Sequence, residues 1–211
     1  SKGKTEMWYV VDTAEGAHLR SGFSKQVTPE EYAASVEDNT ITDILADYAI
    51  RPGDVFFLPA GRVHSIGAGA FIAEIQQNSN VTYRIYDFNR RDANGNTREL
   101  HTELAKEAID YTVLPDYRTH YTPAQNCGVE LVSCPYFTTT LYDLTQARTI
   151  DLSSLDSFLV VICMGGHATL STDGGDPMPV HQGETVLVPA SARTLRIEPE
   201  GGAKFLTSCI R

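Results

Sequence analysis

Basic residues are scarce in this chain: 17 Lys and Arg stand against 27 Asp and Glu in 211 residues, a formal net charge of −10. That balance excludes a nucleic-acid or anionic-membrane surface, since both partners require a basic footprint. A phosphate can still be held locally. No run approaches the ~20 apolar residues that cross a bilayer, and the opening Ser1-Lys-Gly-Lys-Thr-Glu-Met-Trp-Tyr9 lacks the apolar centre of a signal peptide. The expected location is cytoplasmic. The four cysteines, Cys127, Cys134, Cys163 and Cys209, include no Cys-x-x-Cys pair, so neither a zinc knuckle nor a redox motif is indicated. An initiator Met is also missing from a chain whose first strand begins almost at once, and upstream residues are therefore expected.

What is present is a globular composition, 42% hydrophobic and 21% charged, enough to bury one or two cores. Met7-Trp-Tyr-Val-Val-Asp12 predicts a strand. Thr28-Pro-Glu-Glu31 predicts a helix start, with Thr28 as N-cap, Pro29 in the first turn and Glu31 closing a capping box. A second short helix is expected over 42–48. Strands are expected at 55–58, 70–76 and 82–88, and a short helix at 102–111. Further strands are expected at 137–144, 157–164, 167–171 and 185–189, with turns at Gly165-Gly166 and Asp173-Gly-Gly-Asp176. Short strands at this spacing point to an all-β barrel or sandwich rather than a βαβ sheet.

The two halves echo each other. Arg51-Pro-Gly-Asp-Val-Phe-Phe-Leu-Pro-Ala60 and His181-Gln-Gly-Glu-Thr-Val-Leu-Val-Pro-Ala190 share a Gly-acid turn, an apolar strand and a closing Pro-Ala, as duplicated barrels would. The expected organisation is a first barrel over 1–95, a connector with a short helix over 96–126, and a second barrel over 127–211.

Pro59-Ala-Gly-Arg-Val-His64 resembles the second cupin motif, in which a Pro-x-Gly turn presents a histidine into the barrel; imidazole is a common zinc ligand. A larger set of blocks, Gly3-Lys-Thr-Glu-Met-Trp-Tyr9, 59–69 and Glu74-Ile-Gln-Gln-Asn-Ser-Asn-Val-Thr-Tyr-Arg-Ile-Tyr-Asp87, is similar to the signature segments of type I mannose-6-phosphate isomerases. The resemblance is carried by residues 1 to about 90; beyond them it rests on the barrel-like pattern alone. It implies an all-β double cupin, two jelly-roll barrels with a few short helices. It also implies a Zn2+ cofactor held by Glu6 and His64, Arg84 as catalytic arginine and Lys4 as an active-site lysine that binds substrate. The family's Gln-x-His zinc ligands have no counterpart in this chain, and Asn80 stands where the family usually has Asp. Taken singly, Glu6, Lys4 and Arg84 read equally as surface charges. His167 and His181 read as structural or exposed.

The implied activity is the zinc-dependent interconversion of mannose 6-phosphate and fructose 6-phosphate through an enediolate. The substrate is a small-molecule sugar phosphate, and the oligomeric state is open. Glu74 is the general-base candidate if its even-numbered strand face lines the barrel, because a carboxylate in a partly dry site is pushed toward neutral pH. The competing reading is a non-catalytic sugar-binding cupin, or a metal-free truncated remnant of such an enzyme. An iron-dependent cupin oxygenase fits least, since it needs two histidines and a carboxylate. Catalytic zinc takes three protein ligands, and the matched positions supply two. The 211-residue chain alone is therefore expected to bind zinc weakly, and stoichiometric tight zinc by metal analysis would overturn the ligand count.

Overall fold

The computed structural model describes residues 3–88 and 90–210, which divide into two compact units, 1–118 and 119–211. The first contains β1 (Glu6–Thr13), β2 (His18–Phe23), α1 (Pro29–Glu37), β3 (Leu45–Ala49), β4 (Val55–Leu58), β5 (His64–Ile66), β6 (Ala70–Gln76) and α2 (Thr102–Ala108). Two antiparallel sheets form, in the orders β4-β1-β6 and β3-β2-β5. β1 is buried along its whole first half, from Glu6 to Val10, and it pairs on both edges, as a central strand rich in aromatic and β-branched residues does.

Trp8, Val10, Leu19, Phe56, Leu58 and Tyr117 make one apolar cluster of this unit; Phe23, Val27, Tyr32, Ile41, Val63 and Ala105 make a second beneath α1 and α2. α1 starts at its capping box: Thr28 Oγ1 accepts from Glu31 N at 3.2 Å, and Glu31 Oε2 accepts from Thr28 N at 2.8 Å. Each bond satisfies an amide that the helix itself cannot.

The second unit contains β7 (Gly128–Ser133), β8 (Thr138–Leu144), β9 (Arg148–Asp151), β10 (Leu159–Thr172), β11 (Met178–His181), β12 (Thr185–Val188) and β13 (Thr194–Cys209). They form one antiparallel sheet ordered β11-β10-β13-β8-β7, with β12 added on β10 and β9 on β13. Leu144, Val161, Leu195, Ile197 and Phe205, none more than 0% exposed, centre its core.

The echo between the halves extends to their hydrogen bonds. Arg51 N donates to Asp54 Oδ2 and Asp54 N to Arg51 O; His181 N donates to Glu184 Oε2 and Glu184 N to His181 O. Gly53 N donates to Val10 O while Asp54 O accepts from Val10 N, and Gly183 N donates to Cys163 O while Glu184 O accepts from Cys163 N. The same turn chemistry closes the same strand-to-strand contact in each unit.

Four expectations require correction. Residues 42–48 are not a helix: a 3-10 turn over Ile41–Ile44 leads directly into β3, which supplies the edge partner of β2. Residues 82–88 form no strand, because β6 already pairs with β1 and this stretch finds no partner ladder. Gly165-Gly166 is not a turn but a pair of register shifts within the single long strand β10. Of the expected connector, residues 96–118 fall within the first unit, where Ala105 and Tyr117 are buried in its two clusters.

Tyr117 is the main fastening of that stretch. Its hydroxyl donates to Phe23 O at 3.2 Å and accepts from Leu114 N at 3.2 Å, and its ring lies against Gly22, where an added Cβ would collide with it. Gly22 has φ +72°, and Gly16 φ +74° with open space around it. Gly16→Ala should therefore cost only backbone strain, about 1 kcal/mol. Gly22→Ala should cost clearly more, since Tyr117 must also move. Urea midpoints of the two variants check this; equal shifts would show that the Tyr117 contact is slack.

Candidate functional site

The site grows from the start of β1. In the antiparallel register Glu6 lies opposite Gln76 and Leu58, and Trp8 opposite Glu74 and Phe56. Directly opposed residues share one sheet face, so Glu6, Trp8, Glu74 and Gln76 face the same way. Ala70 and Ile72, on that same even-numbered face of β6, pack on the Trp8 cluster. The face that carries Glu74 is therefore the interior one.

His64 opens β5, directly after a turn in which Arg62 N donates to Pro59 O at 3.0 Å. Its Nδ1 lies 2.7 Å from Arg62 O, a carbonyl that can only accept, so the ring proton sits on Nδ1 and Nε2 keeps its lone pair. Nε2 is 3.6 Å from Glu6 Oε1, and the ring stands edge-on to Trp8 with centroids 5.1 Å apart. Two donor atoms thus meet as two ligands of one ion would. Glu6 is 1% exposed, and its Oε2 has no protein partner. A buried carboxylate oxygen without a donor is costly unless something cationic completes it. Glu6 and His64 accordingly fit a zinc ion in donor chemistry, but not in number: among the described residues no three His, Cys, Asp or Glu side chains gather as a metal site.

Lys4 Nζ donates to Glu6 Oε1 at 2.7 Å and to Glu74 Oε1 at 3.4 Å, and Trp8 Nε1 donates to Glu74 Oε2 at 2.9 Å. Burial pulls the Lys4 pKa down, but its bond to Glu6 and the charges of Glu6 and Glu74 outweigh that and hold it above the usual lysine value. Burial likewise raises Glu74, yet the Trp8 indole and the Lys4 ammonium together hold it below the ordinary carboxylate range. The expected shift of Glu74 toward neutral pH is therefore reversed: its two oxygens are each engaged by a donor that favours the anion.

Arg84 lies in the irregular stretch after β6. Its guanidinium Nη1 donates to Glu99 O at 3.5 Å, its backbone N to His101 Nδ1 at 3.0 Å. A cavity of about 490 Å³ is lined by Lys4, Glu6, Arg62, His64, Tyr83 and Arg84, among others. Glu74 does not line it and joins through Lys4. Trp8, the only tryptophan, and Arg62, buried inside the cupin-like motif, went unmarked in the sequence. The signal for Trp8 was its place two residues from Glu6 on one strand, which puts both on one face. In the second unit His167 and His181 lie opposite each other on β10 and β11, rings 6.0 Å apart, each against its own glutamate, Glu200 and Glu184.

Residues 129–209 match the family model described as mannose-6-phosphate isomerase, cupin domain. A mannose-6-phosphate isomerase, ManA, of Bacillus subtilis is 32% identical over 198 residues, 93% of this chain and 62% of that protein. The crystal structure of the mannose 6-phosphate isomerase from Bacillus subtilis superposes with a TM-score of 0.85 at 27% identity, over 99% of this chain and 65% of that one. A mannose 6-phosphate isomerase bound with zinc and yttrium shares the fold, with a TM-score of 0.71 at 13% identity over 96% of this chain and 66% of that one. Fold and likeness together define a cupin. More particularly, the chain is a type I mannose-6-phosphate isomerase-like cupin, and it spans about three fifths of the length of the curated relatives it matches. Among the described residues no helix is long and apolar enough to cross a membrane.

The charge network carries a pH signature. Glu74, depressed below 4.5, contributes stability that is complete above that value and is lost as pH falls below it; Lys4, raised above 10.5, contributes stability that is complete below that value and is lost as pH rises past it. Glu74→Gln should therefore weaken the first unit at pH 7, and the gap from the parent should narrow as pH drops below 4.5. Urea titrations at pH 3.5, 5 and 7, flagged here as approximate set points bracketing the carboxylate range, measure it. A constant gap would show that the network contributes nothing through the Glu74 charge.

Proposed function

We propose that the protein catalyses the interconversion of mannose 6-phosphate and fructose 6-phosphate, with Zn2+ held by Glu6 and His64. The observation that carries this reading is one cavity lined by Lys4, Glu6, His64 and Arg84, two metal-type donors beside two cations. The reaction moves a proton between C1 and C2 of the sugar through an enediolate, whose negative charge must be stabilised as it forms. Bound zinc supplies Lewis-acid polarisation of the sugar oxygens. Arg84 presents a permanent planar charge that matches an oxyanion or the phosphate with paired N–H groups. Lys4 adds an ammonium that stays protonated beside Glu6 and Glu74. Glu74 enters as the anion that anchors Lys4 rather than as the general base.

The competing reading is a sugar-binding cupin without catalysis, favoured by the presence of only two metal-type donors at the cavity. An isomerase assay on the full-length gene product, with and without chelator, separates the two; activity lost to chelator and restored by zinc supports the enzyme. In that protein Arg84→Ala should lower turnover by roughly 10²–10³-fold, the cost of losing one preorganised donor at developing charge. Zinc content and melting temperature should not move. Near-normal turnover would remove Arg84 from the chemistry.

A further inference from the structure

The segment that carries Arg84 has no sheet ladder to hold it, yet its main chain is fixed at that residue. Arg84 N donates to His101 Nδ1 at 3.0 Å, and His101 N donates to Arg84 O at 2.8 Å. With Glu99 O accepting from the guanidinium at 3.5 Å, the short stretch 99–101 grips backbone and side chain of the same arginine. His101 is also the N-cap residue of α2, and its carbonyl accepts the first helical bond, from Ala105 N at 2.8 Å. An N-cap side chain ordinarily turns back to satisfy an orphan amide of its own helix. That of His101 makes no such bond. It is spent instead on an amide 17 positions earlier in the chain.

The anchorage behind this contact is firm. Ala105 is 2% exposed in the cluster with Tyr32 and Phe23, and Lys106 of α2 pairs with Glu30 of α1 at 3.1 Å. Nδ1 accepts only when it carries no proton, so the bond also selects the tautomer with its proton on Nε2. Tyr83, next to Arg84, lies with its ring 6.0 Å from the His101 ring.

We propose that His101 is the positioning residue of Arg84, transmitting the rigidity of the α1–α2 core to the guanidinium that lines the cavity. The proposal rests on the assignment of Arg84 to the reaction. Serine at position 101 is the informative replacement: it is a strong N-cap but one bond too short to stand in for the ring nitrogen. In the full-length gene product His101→Ser should keep or raise the melting temperature while kcat falls roughly ten- to hundredfold, the usual consequence of a misplaced catalytic group, with KM little changed. In an Arg84→Ala background the same change should cost nothing further, because its effect passes through Arg84.

His101→Ser with normal kcat, beside an impaired Arg84→Ala, overturns the proposal alone. A loss of kcat that is equally large in the Arg84→Ala background, or that comes with a lower melting temperature, overturns it as well. Normal turnover in Arg84→Ala overturns the assignment of Arg84 and the proposal with it.

Discussion

Burial of the Glu6 carboxylate is the constraint around which the first unit is arranged. A charge 1% exposed sits where desolvation costs several kcal/mol unless donors or cations surround it. Lys4 is drawn to it at 2.7 Å, His64 turns Nε2 toward it at 3.6 Å, and one oxygen remains open to the cavity. Glu74 then balances the second side of Lys4, and the Trp8 indole balances Glu74. Each polar group in the set is tolerable only because the next one is there, which is how a fully connected polar network differs from scattered charges.

The apolar structure keeps these groups in place. Trp8 is both the hydrogen-bond donor to Glu74 and a member of the cluster with Val10, Phe56 and Leu58, so the network is tied to a packed core through one side chain. The edge contact of Trp8 with the His64 ring limits the ring's rotation, while the Arg62 carbonyl fixes its tautomer. A donor histidine with both its orientation and its proton set by neighbours is preorganised for a ligand. The other wall of the cavity is built differently: Arg84 lies on irregular backbone and depends on 99–101 for its place.

The paired turns of the two units show what duplication preserves and what it does not. The bonds around Asp54 recur around Glu184, since the Gly-acid turn is a local solution set by its own residues. The ligand histidine does not recur: after Pro59-Ala60 the chain continues to His64, while after Pro189-Ala190 it continues Ser-Ala-Arg-Thr194. Scaffold and site have thus been kept separately, as expected when function resides in a few side chains grafted on a fold.

Much of this was legible in the chain itself. The capping box at Thr28, the strands at 55–58 and 70–76 and the Pro-Ala-Gly turn before His64 are local devices whose partners lie within a few residues. The meeting of Glu6 with His64 was expected only through resemblance, because 58 intervening positions carry no spacing rule. Three matters needed the tertiary structure. Residues 45–49 became a strand because β2 required an edge partner, and 82–88 did not because β6 was already paired. The Glu74 carboxylate was expected to be raised by burial and is instead lowered, since the balance was decided by Trp8 and Lys4, 66 and 70 positions away. His101 carried no sequence signal at all, for its partner is a backbone amide, and every residue but proline has one. Sequence determines what each segment can do alone; which long-range partner completes it is settled only when the chain closes on itself.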